Sequence, residues 1–231
     1  MNTYEVDFNN NTELEKKEWH IKDVIFAIVI FLSIHVFLNI IFNYISLLHI
    51  ELNGNISITI AAIFTIYILS EKYPLRLLLL PDYQNIFKYS IPAFILCFLI
   101  YLPFYHHIWF DQLIEVPEHL KYFKEYNSFE KVIFLFDFCF FGPVTEEILN
   151  RGFFYRIIRN RYNVFWGTII STTIFYLLHG LGPFNLNIIL GSLIFTYVYE
   201  KSGNIWTSII THSLNNISWF VLVFLGLQYR C

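Results

Sequence analysis

The residues with the greatest chemical potential lie in one apolar stretch. Residues 140–154 read FFGPVTEEILNRGFF and place Glu146, Glu147 and Arg151 in a segment otherwise apolar enough to cross a membrane. A charge at the centre of a bilayer costs about 2.5 to 3.5 kcal/mol, so three unpaired charges would cost about 8 to 10 kcal/mol. We therefore expect charge pairing to offset most of this cost.

Helical spacing indicates which charges pair. Glu147 and Arg151 are four residues apart, so they share a helix face, with the acid on the favourable N-terminal side. Glu146 is turned away by roughly 100° and lacks that cationic partner. A carboxylate of this kind in a low-dielectric site suits a general base. Gly142 and Pro143, just before it, predict a kink that admits water.

Two further polar clusters lie in later apolar segments. One is Phe175 followed four residues later by His179, and the other is His212 followed four residues later by Asn216. His212 and Asn216 share a helix face and offer an imidazole beside an amide. These groups can hydrogen-bond a substrate carbonyl or a developing oxyanion.

Helix lengths indicate which of these groups can meet. Glu146 and His179 each lie about 15 to 18 residues from a turn near residues 161–162, or roughly 25 Å along either helix. They can therefore face one another. His212 lies only about 9 residues, or roughly 13 Å, from a turn at residues 202–204. It matches their depth only if that turn is sunk into the protein or its helix is tilted.

The overall composition explains where such a site must lie. The 231 residues are 56% hydrophobic and 14% charged, against about 25% charged residues in ordinary soluble domains. The net charge of −3 gives no electrostatic support for a nucleic-acid partner. The three cysteines show neither a disulfide framework nor metal-ligand spacing. We expect membrane lipid to be the main surroundings of the chain.

The fold class expected is all-α, a polytopic transmembrane helical bundle of about seven spans with the active site inside the bundle. Unpaired backbone groups are excluded from hydrocarbon, so every span must be helical or lie against protein. Basic residues near alternate span ends place the N-terminus in the cytoplasm of a cell (plasma) membrane. The predicted spans are 23–45, 56–70, 90–110, 131–155, 164–180, 184–199 and 205–226.

Three other polar features are assigned from the sequence. Asp137 is an acid inside an apolar run, and such an acid is a functional candidate by default; we leave its role open. The polar stripe of His35, Asn39 and Asn43 on the first span favours helix packing over a site. Residues 111–131, which include Glu130, are expected to form a solvated external loop.

The three motifs together resemble the CAAX protease and bacteriocin-processing family of intramembrane proteases, also called the CPBP or Abi family. They occur in order as EExxxR, FxxxH and HxxxN over about residues 131–220. The resemblance implies that Glu146 and His179 activate a water. It also implies that His212 and Asn216 stabilise the oxyanion, while Glu147 and Arg151 support the site.

Hydropathy and charge, together with the resemblance for the C-terminal part, give a domain plan. Residues 1–22 are a polar cytoplasmic segment, and residues 23–130 hold the N-terminal transmembrane helices and the external loop. Residues 131–226 are the CPBP-type catalytic helical core, and residues 227–231 are a C-terminal tail. The expected substrate is a membrane-associated peptide or protein, and the expected reaction is hydrolysis of a peptide bond.

Several alternatives stay open. Two histidines and a glutamate, here Glu146, His179 and His212, could also hold zinc with a position left for water. The spacing is not that of an HExxH motif, so we favour a mechanism that requires no cofactor. The chain could instead be a non-enzymatic immunity or scaffold protein that binds a membrane sensor and keeps the motifs as a structural network. A proton-coupled transporter is a further alternative, although no repeat of two similar halves is evident.

Overall fold

The computed structural model describes residues 20–46, 48–72, 83–106, 122–179 and 186–228. Every regular element in these ranges is helical. Residues 1–19 of the predicted cytoplasmic segment, most of the external loop and the end of the tail lie outside the described residues. Within them the chain forms seven helices, in the order α1 (Ile21–Tyr44), α2 (Ile50–Lys72), α3 (Tyr83–His106), α4 (128–161), α5 (Val164–Leu178), α6 (Leu186–Ser202) and α7 (Ile205–Gln228).

The all-α prediction is confirmed, and three helices are long and apolar enough to cross a membrane by length and composition. These helices cover Ile21–Tyr44, Ile50–Glu71 and Tyr83–Leu102, and the shorter Val164–Leu178 is also apolar. Large apolar side chains cover the outer face of α1, where Phe37 is 63% exposed and Ile40 is 65% exposed. A soluble monomer rarely exposes so continuous an apolar surface. The chain is therefore a multi-pass membrane protein.

Two spans were predicted to start later than the corresponding helices do. The second span was expected to start at residue 56 and the third at residue 90, whereas α2 begins at Ile50 and α3 at Tyr83. The first turns of α2 contain polar residues that find partners inside the protein. The buried Asn53 amide donates to the Leu48 carbonyl and to Asn43 Oδ1, both at 3.0 Å. Hydropathy therefore underestimates the length of a helix whose polar residues face another helix.

The polar stripe on α1 packs against α2, as expected. His35 Nδ1 lies 2.9 Å from Ser57 Oγ, and the Asn43 amide donates to Asn39 Oδ1 at 3.0 Å. The prediction for Glu130 is wrong, because this acid is buried and lies in α4. Its two oxygens accept hydrogen bonds from the backbone N–H groups of His49 and Asn127, each at 2.9 Å. Glu130 thereby caps α4 and ties it to the start of α2.

Helix α4 changes its winding along its length and lies at the centre of the bundle. Its α-helical turns are interrupted by π-helical stretches at Asp137–Phe141 and Ile148–Tyr155. Its middle part contacts α2, α5, α6 and α7, and all eight residues of Ile148–Tyr155 are buried. π-Helical stretches are often found at functional sites. The first stretch ends just before Pro143, the residue predicted to kink this helix.

The crossing of α4 and α5 depends on a glycine. A Cβ atom on Gly167 would lie 3.0 Å from Arg159 Cβ and 3.2 Å from Arg159 Cα. These distances are shorter than ordinary van der Waals contact, and one of the atoms belongs to the backbone. Only glycine at position 167 allows the two helices to approach this closely.

We expect Gly167→Ala to destabilise the protein by about 1 to 3 kcal/mol, because the added methyl group forces α4 and α5 apart. The measurement is thermal unfolding of the purified protein in detergent. Gly54→Ala is the matched control, since a Cβ at Gly54 meets no described atom within 4 Å. The control should be neutral or up to about 1 kcal/mol more stable, because alanine favours a helix interior. Equal effects of the two changes would contradict the proposed crossing.

Candidate active site

The predicted ion pair between Glu147 and Arg151 is confirmed. Arg151 Nη1 donates to Glu147 Oε1 at 2.8 Å, and both side chains are 0% exposed. Breaking a fully buried pair leaves a charge without compensation in a low-dielectric interior. The pair therefore fixes the rotation of α4 within the bundle.

Arg151 also holds α5 and α6. Its Nη2 donates to both the carbonyl and the hydroxyl of Ser192 in α6, each at 2.9 Å. The guanidinium carbon lies 4.8 Å from the centroid of the Phe175 ring and 5.5 Å from that of Phe195. Cation–π contact with rings from α5 and α6 adds to the ion pair. One arginine thus joins three helices.

Glu147 has a second partner in α7. His212 Nδ1 lies 2.9 Å from Glu147 Oε1, so this nitrogen donates and Nε2 points away from Glu147. The His212 ring stacks on Phe195, with ring centroids 4.6 Å apart. The contact between Glu147 and His212 orients the imidazole toward Glu146.

His179, at the end of α5, is oriented in the same way by a backbone group. Its Nδ1 lies 2.8 Å from the Phe175 carbonyl, which makes Nδ1 the donor and leaves the Nε2 lone pair available. Phe175 thus contacts two residues of the site, since its carbonyl accepts a hydrogen bond from His179 and its ring lies against Arg151. These contacts give a physical reason for the FxxxH spacing.

Glu146 and the two histidines converge, as the sequence predicts. Glu146 Oε2 lies 3.7 Å from His179 Nε2 and 3.9 Å from His212 Nε2. These distances are too long for direct hydrogen bonds, and one water could bridge each pair at about 2.8 Å. Glu146 Oε2 is buried and has no hydrogen-bond partner among the described residues. The geometry therefore places a free carboxylate oxygen between two imidazole lone pairs.

The turn before α7 is partly buried. Asn204 is 5% exposed, whereas Ser202 and Gly203 are half-buried and Lys201 is exposed. Beside it, Glu200 accepts hydrogen bonds from Tyr155 at 2.7 Å and from Arg159 Nη2 at 2.7 Å. The sequence required either a sunken turn or a tilted helix for His212 to reach this depth, and the turn is sunk only in part.

Asn216 has a contact that the sequence did not predict. Its Nδ2 donates to the Phe138 carbonyl in α4 at 2.9 Å. In the π-helical stretch each backbone N–H bonds to the carbonyl five residues earlier, as the N–H of Gly142 does to the carbonyl of Asp137. By this pattern the N–H of residue 143 would bond to the carbonyl of Phe138. That residue is Pro143, which has no N–H. Asn216 therefore satisfies the carbonyl that Pro143 leaves free, and its second N–H is not used in this bond.

A cavity of about 490 Å³ opens beside these groups. Asp137 lies in its wall, with one carboxylate oxygen accepting from Thr59 at 2.7 Å. The remaining wall combines polar and apolar side chains from α1 to α7. Its lining includes Phe31, Phe138, Glu146, Asn150, Phe154, His179, Asn215, Asn216, His212 and Trp219. Such a space can admit an apolar substrate segment and present it to the glutamate.

The same three side chains were the candidates for zinc. Two ligand atoms on a tetrahedral zinc lie about 3.4 Å apart when each bond is about 2.1 Å. The distances of 3.7 and 3.9 Å from Glu146 Oε2 are longer. Among the described residues no group of three or more histidine, cysteine or acidic side chains has metal-binding geometry. Binding of zinc would therefore need a shift of a few tenths of an ångström in these side chains.

Sequence reasoning missed two residues of this site, Ser192 and Phe195 in α6. Neither is titratable, and serine and phenylalanine are common in apolar helices. The spacing of three between them is compatible with one helix face, but nothing in the sequence connects that face to Arg151. Their role depends on contacts between distant helices.

The fold and site define an all-helical, multi-pass membrane protein with a buried centre of glutamates and histidines. Residues 128–218 match the family model described as Rce1-like, type II CAAX prenyl endopeptidase Rce1-like. Residues 128–218 therefore resemble the domain of this family, and they hold the three motifs. No curated protein and no solved structure matched the chain in the other two comparisons.

The two adjacent acids should respond differently to loss of charge. We expect Glu147→Gln to destabilise the protein by about 3 to 5 kcal/mol, because Arg151 is left buried without a counter-charge. Glu146→Gln is the matched control and should leave stability unchanged or raise it, since its Oε2 has no hydrogen bond to lose. Both variants are compared with the parent by thermal unfolding in detergent. A larger loss for Glu146→Gln would contradict this division of roles.

Proposed function

We propose that the protein is an intramembrane endopeptidase that hydrolyses a peptide bond in a membrane-associated peptide or protein. The observation that supports this most strongly is the meeting of Glu146 Oε2 with two imidazole Nε2 atoms, at 3.7 and 3.9 Å. The match of residues 128–218 to a family of CAAX prenyl endopeptidases supports the same reaction class.

In the proposed mechanism a water lies between Glu146 and His179. Glu146 takes a proton from this water, and His179 Nε2 accepts its second hydrogen bond. The oxygen of the water then attacks the carbonyl carbon of the substrate and forms a tetrahedral intermediate. General base catalysis of this kind contributes about 10²- to 10⁴-fold to a rate.

Collapse of the intermediate completes the reaction. Glu146 returns the proton to the leaving nitrogen, the C–N bond breaks, and the products are a carboxylic acid and an amine. One water is consumed. Glu147 and Arg151 take no part in the proton transfer, since each holds the other.

His212 and Asn216 are proposed to bind the oxyanion of the intermediate. His212 can donate from Nε2 only when its ring is doubly protonated, because Nδ1 already donates to Glu147. The Glu147 carboxylate is then the counter-charge of the imidazolium. Asn216 supplies the N–H that does not bind Phe138. Donors held in place before the reaction stabilise an oxyanion without reorganisation.

We further propose that all seven helices cross the plasma membrane and that the N-terminus is cytoplasmic. Lys16 and Lys17 precede α1 and Lys22 lies in its first turn, whereas the segment 45–49 between α1 and α2 has no lysine or arginine. Cytoplasmic segments hold the excess of basic residues. Residues 131–226 form the catalytic core in this proposal, preceded by the helices of residues 23–130.

The main alternative is a scaffold or immunity protein in which the buried polar network is structural. The network does stabilise helix packing through Glu147 and Arg151, and this is equally true of an enzyme. Glu146 distinguishes the two functions, because it lies in the cavity wall beside two imidazoles, whereas the structural pair of Glu147 and Arg151 does not line the cavity.

Loss of Glu146 or His179 should therefore abolish cleavage without loss of the fold. We expect Glu146→Gln and His179→Ala to lower the cleavage rate by at least about 10²-fold. The assay uses an S-farnesylated peptide with a CAAX terminus and a transmembrane peptide library, with the protein in detergent. Glu71→Gln, which changes an exposed acid at the end of α2, should leave the rate unchanged. Full biological activity in both site variants would favour the scaffold.

Removal of divalent metal distinguishes the two hydrolytic mechanisms. We expect treatment with 1,10-phenanthroline followed by gel filtration to leave the cleavage rate within about twofold, because the general base is a carboxylate. The metal content of the treated protein is measured alongside the rate. A loss of activity that added zinc restores would identify zinc held by Glu146, His179 and His212 instead.

A further inference from the structure

Asn150 is a buried amide that the proposed mechanism does not use. It is 3% exposed, and neither Oδ1 nor Nδ2 has a hydrogen-bond partner within the described parts of the chain. Most buried polar side-chain atoms in proteins are hydrogen-bonded. An unsatisfied buried group costs about 1 to 3 kcal/mol, and here both ends of one amide are unsatisfied.

The position of Asn150 connects it with the candidate active site. It lies four residues after Glu146 in α4, which corresponds to about 6 Å along a helix. Both residues line the same cavity. Asn150 occupies one of the unspecified positions of the EExxxR motif, and it makes no contact with Arg151 that would explain its polarity.

A second asparagine adds to this polar surface. Asn215, in α7 next to Asn216, also lines the cavity. Its Oδ1 is buried and has no hydrogen-bond partner among the described residues. Unused amide atoms therefore come from two helices that border the same space.

The chemistry of the proposed substrate accounts for these amides. A peptide must unwind around the bond that is cleaved, which exposes N–H and C=O groups in an apolar cavity. Each such group costs several kcal/mol if it stays unpaired in a membrane interior. A carboxamide has both donors and acceptors, so it can replace the two hydrogen bonds that one peptide group loses on unwinding.

We propose that Asn150 is a substrate-binding residue that hydrogen-bonds the main chain of an unwound peptide segment beside the scissile bond, with Asn215 as a second contact. This inference rests on the proposed protease function. It adds to that function a subsite that recognises peptide groups rather than a particular side chain.

The test combines a protein variant with a change in the substrate backbone. Asn150→Leu keeps the approximate shape and removes both polar ends. The probe is the S-farnesylated CAAX peptide with a fluorescent label, together with analogues in which one peptide group within three residues of the scissile bond is an ester. An ester lacks the N–H donor and is a weaker acceptor. Leu135→Met, a volume-conserving change in α4 outside the cavity lining, is the matched control.

For the parent protein and the control, one ester analogue should raise KM about tenfold, as expected for loss of one or two hydrogen bonds. For Asn150→Leu the amide peptide should already show this higher KM, with kcat within about twofold, and the ester should have no further effect. The variant should unfold at the same or a higher temperature. If the ester raises KM by the same factor in Asn150→Leu and in the parent, the proposed role of Asn150 is wrong, while the proposed protease function is unaffected.

Binding is measured separately by fluorescence anisotropy, so that the inference is tested even without turnover. If the parent binds the labelled peptide and does not cleave it, the protease proposal fails. The Kd values of the parent and of Asn150→Leu for the amide and ester peptides then test the role of Asn150. Unchanged Kd in Asn150→Leu overturns the inference and assigns the amide to an internal water. No binding of the peptide to the parent overturns both proposals.

Discussion

The ion pair between Glu147 and Arg151 is the interaction on which the rest of the structure depends. It places two full charges where neither has contact with water, at a distance of 2.8 Å. The pair reaches beyond α4, because Arg151 binds Ser192 and lies against Phe175, while Glu147 binds His212. Four helices, α4 to α7, are therefore held in one register by two charged side chains. A change in the rotation of α6 or α7 would remove a hydrogen bond from one of these two buried charges.

This pairing also determines which acid is available for chemistry. Glu147 Oε1 accepts hydrogen bonds from both Arg151 and His212, so the charge of this carboxylate is compensated. Glu146, one residue earlier, faces a different side of the helix and reaches the cavity. Two adjacent residues of the same type thus receive different surroundings from the geometry of a single helix. The two histidines then gain a common orientation, since each uses Nδ1 in a hydrogen bond and directs Nε2 toward Glu146.

Relations within one helix could be predicted from the sequence, whereas relations between helices could not. The pairing of Glu147 with Arg151 follows from a spacing of four residues, and the exclusion of Glu146 follows from the same periodicity. The contact of His212 with Glu147 joins residues 65 positions apart, and no local pattern indicates it. The same holds for Ser192 and Phe195. Spacing alone did not predict that Glu146, His179 and His212 meet, whereas the resemblance of the three ordered motifs to a known family did.

Two local features also escaped prediction, for a different reason. The π-helical stretches of α4 shift hydrogen bonding from four residues to five, and this choice depends on whether partners exist for the carbonyls left free. Pro143 frees the carbonyl of Phe138, and Asn216 from α7 binds it. The position of His212 depends in the same way on its contact with Glu147 in α4. In both cases local geometry is determined by packing against a distant helix.

The central claim is that Glu146, His179 and His212 surround a single water. An experimental structure of the protein in a lipid nanodisc, at a resolution that shows ordered water, tests it most directly. The account predicts one density peak about 2.8 Å from Glu146 Oε2 and from the two Nε2 atoms, with no anomalous signal at the zinc edge. A peak about 2.1 Å from the three atoms with a zinc signal would contradict it, as would histidines that face away from Glu146.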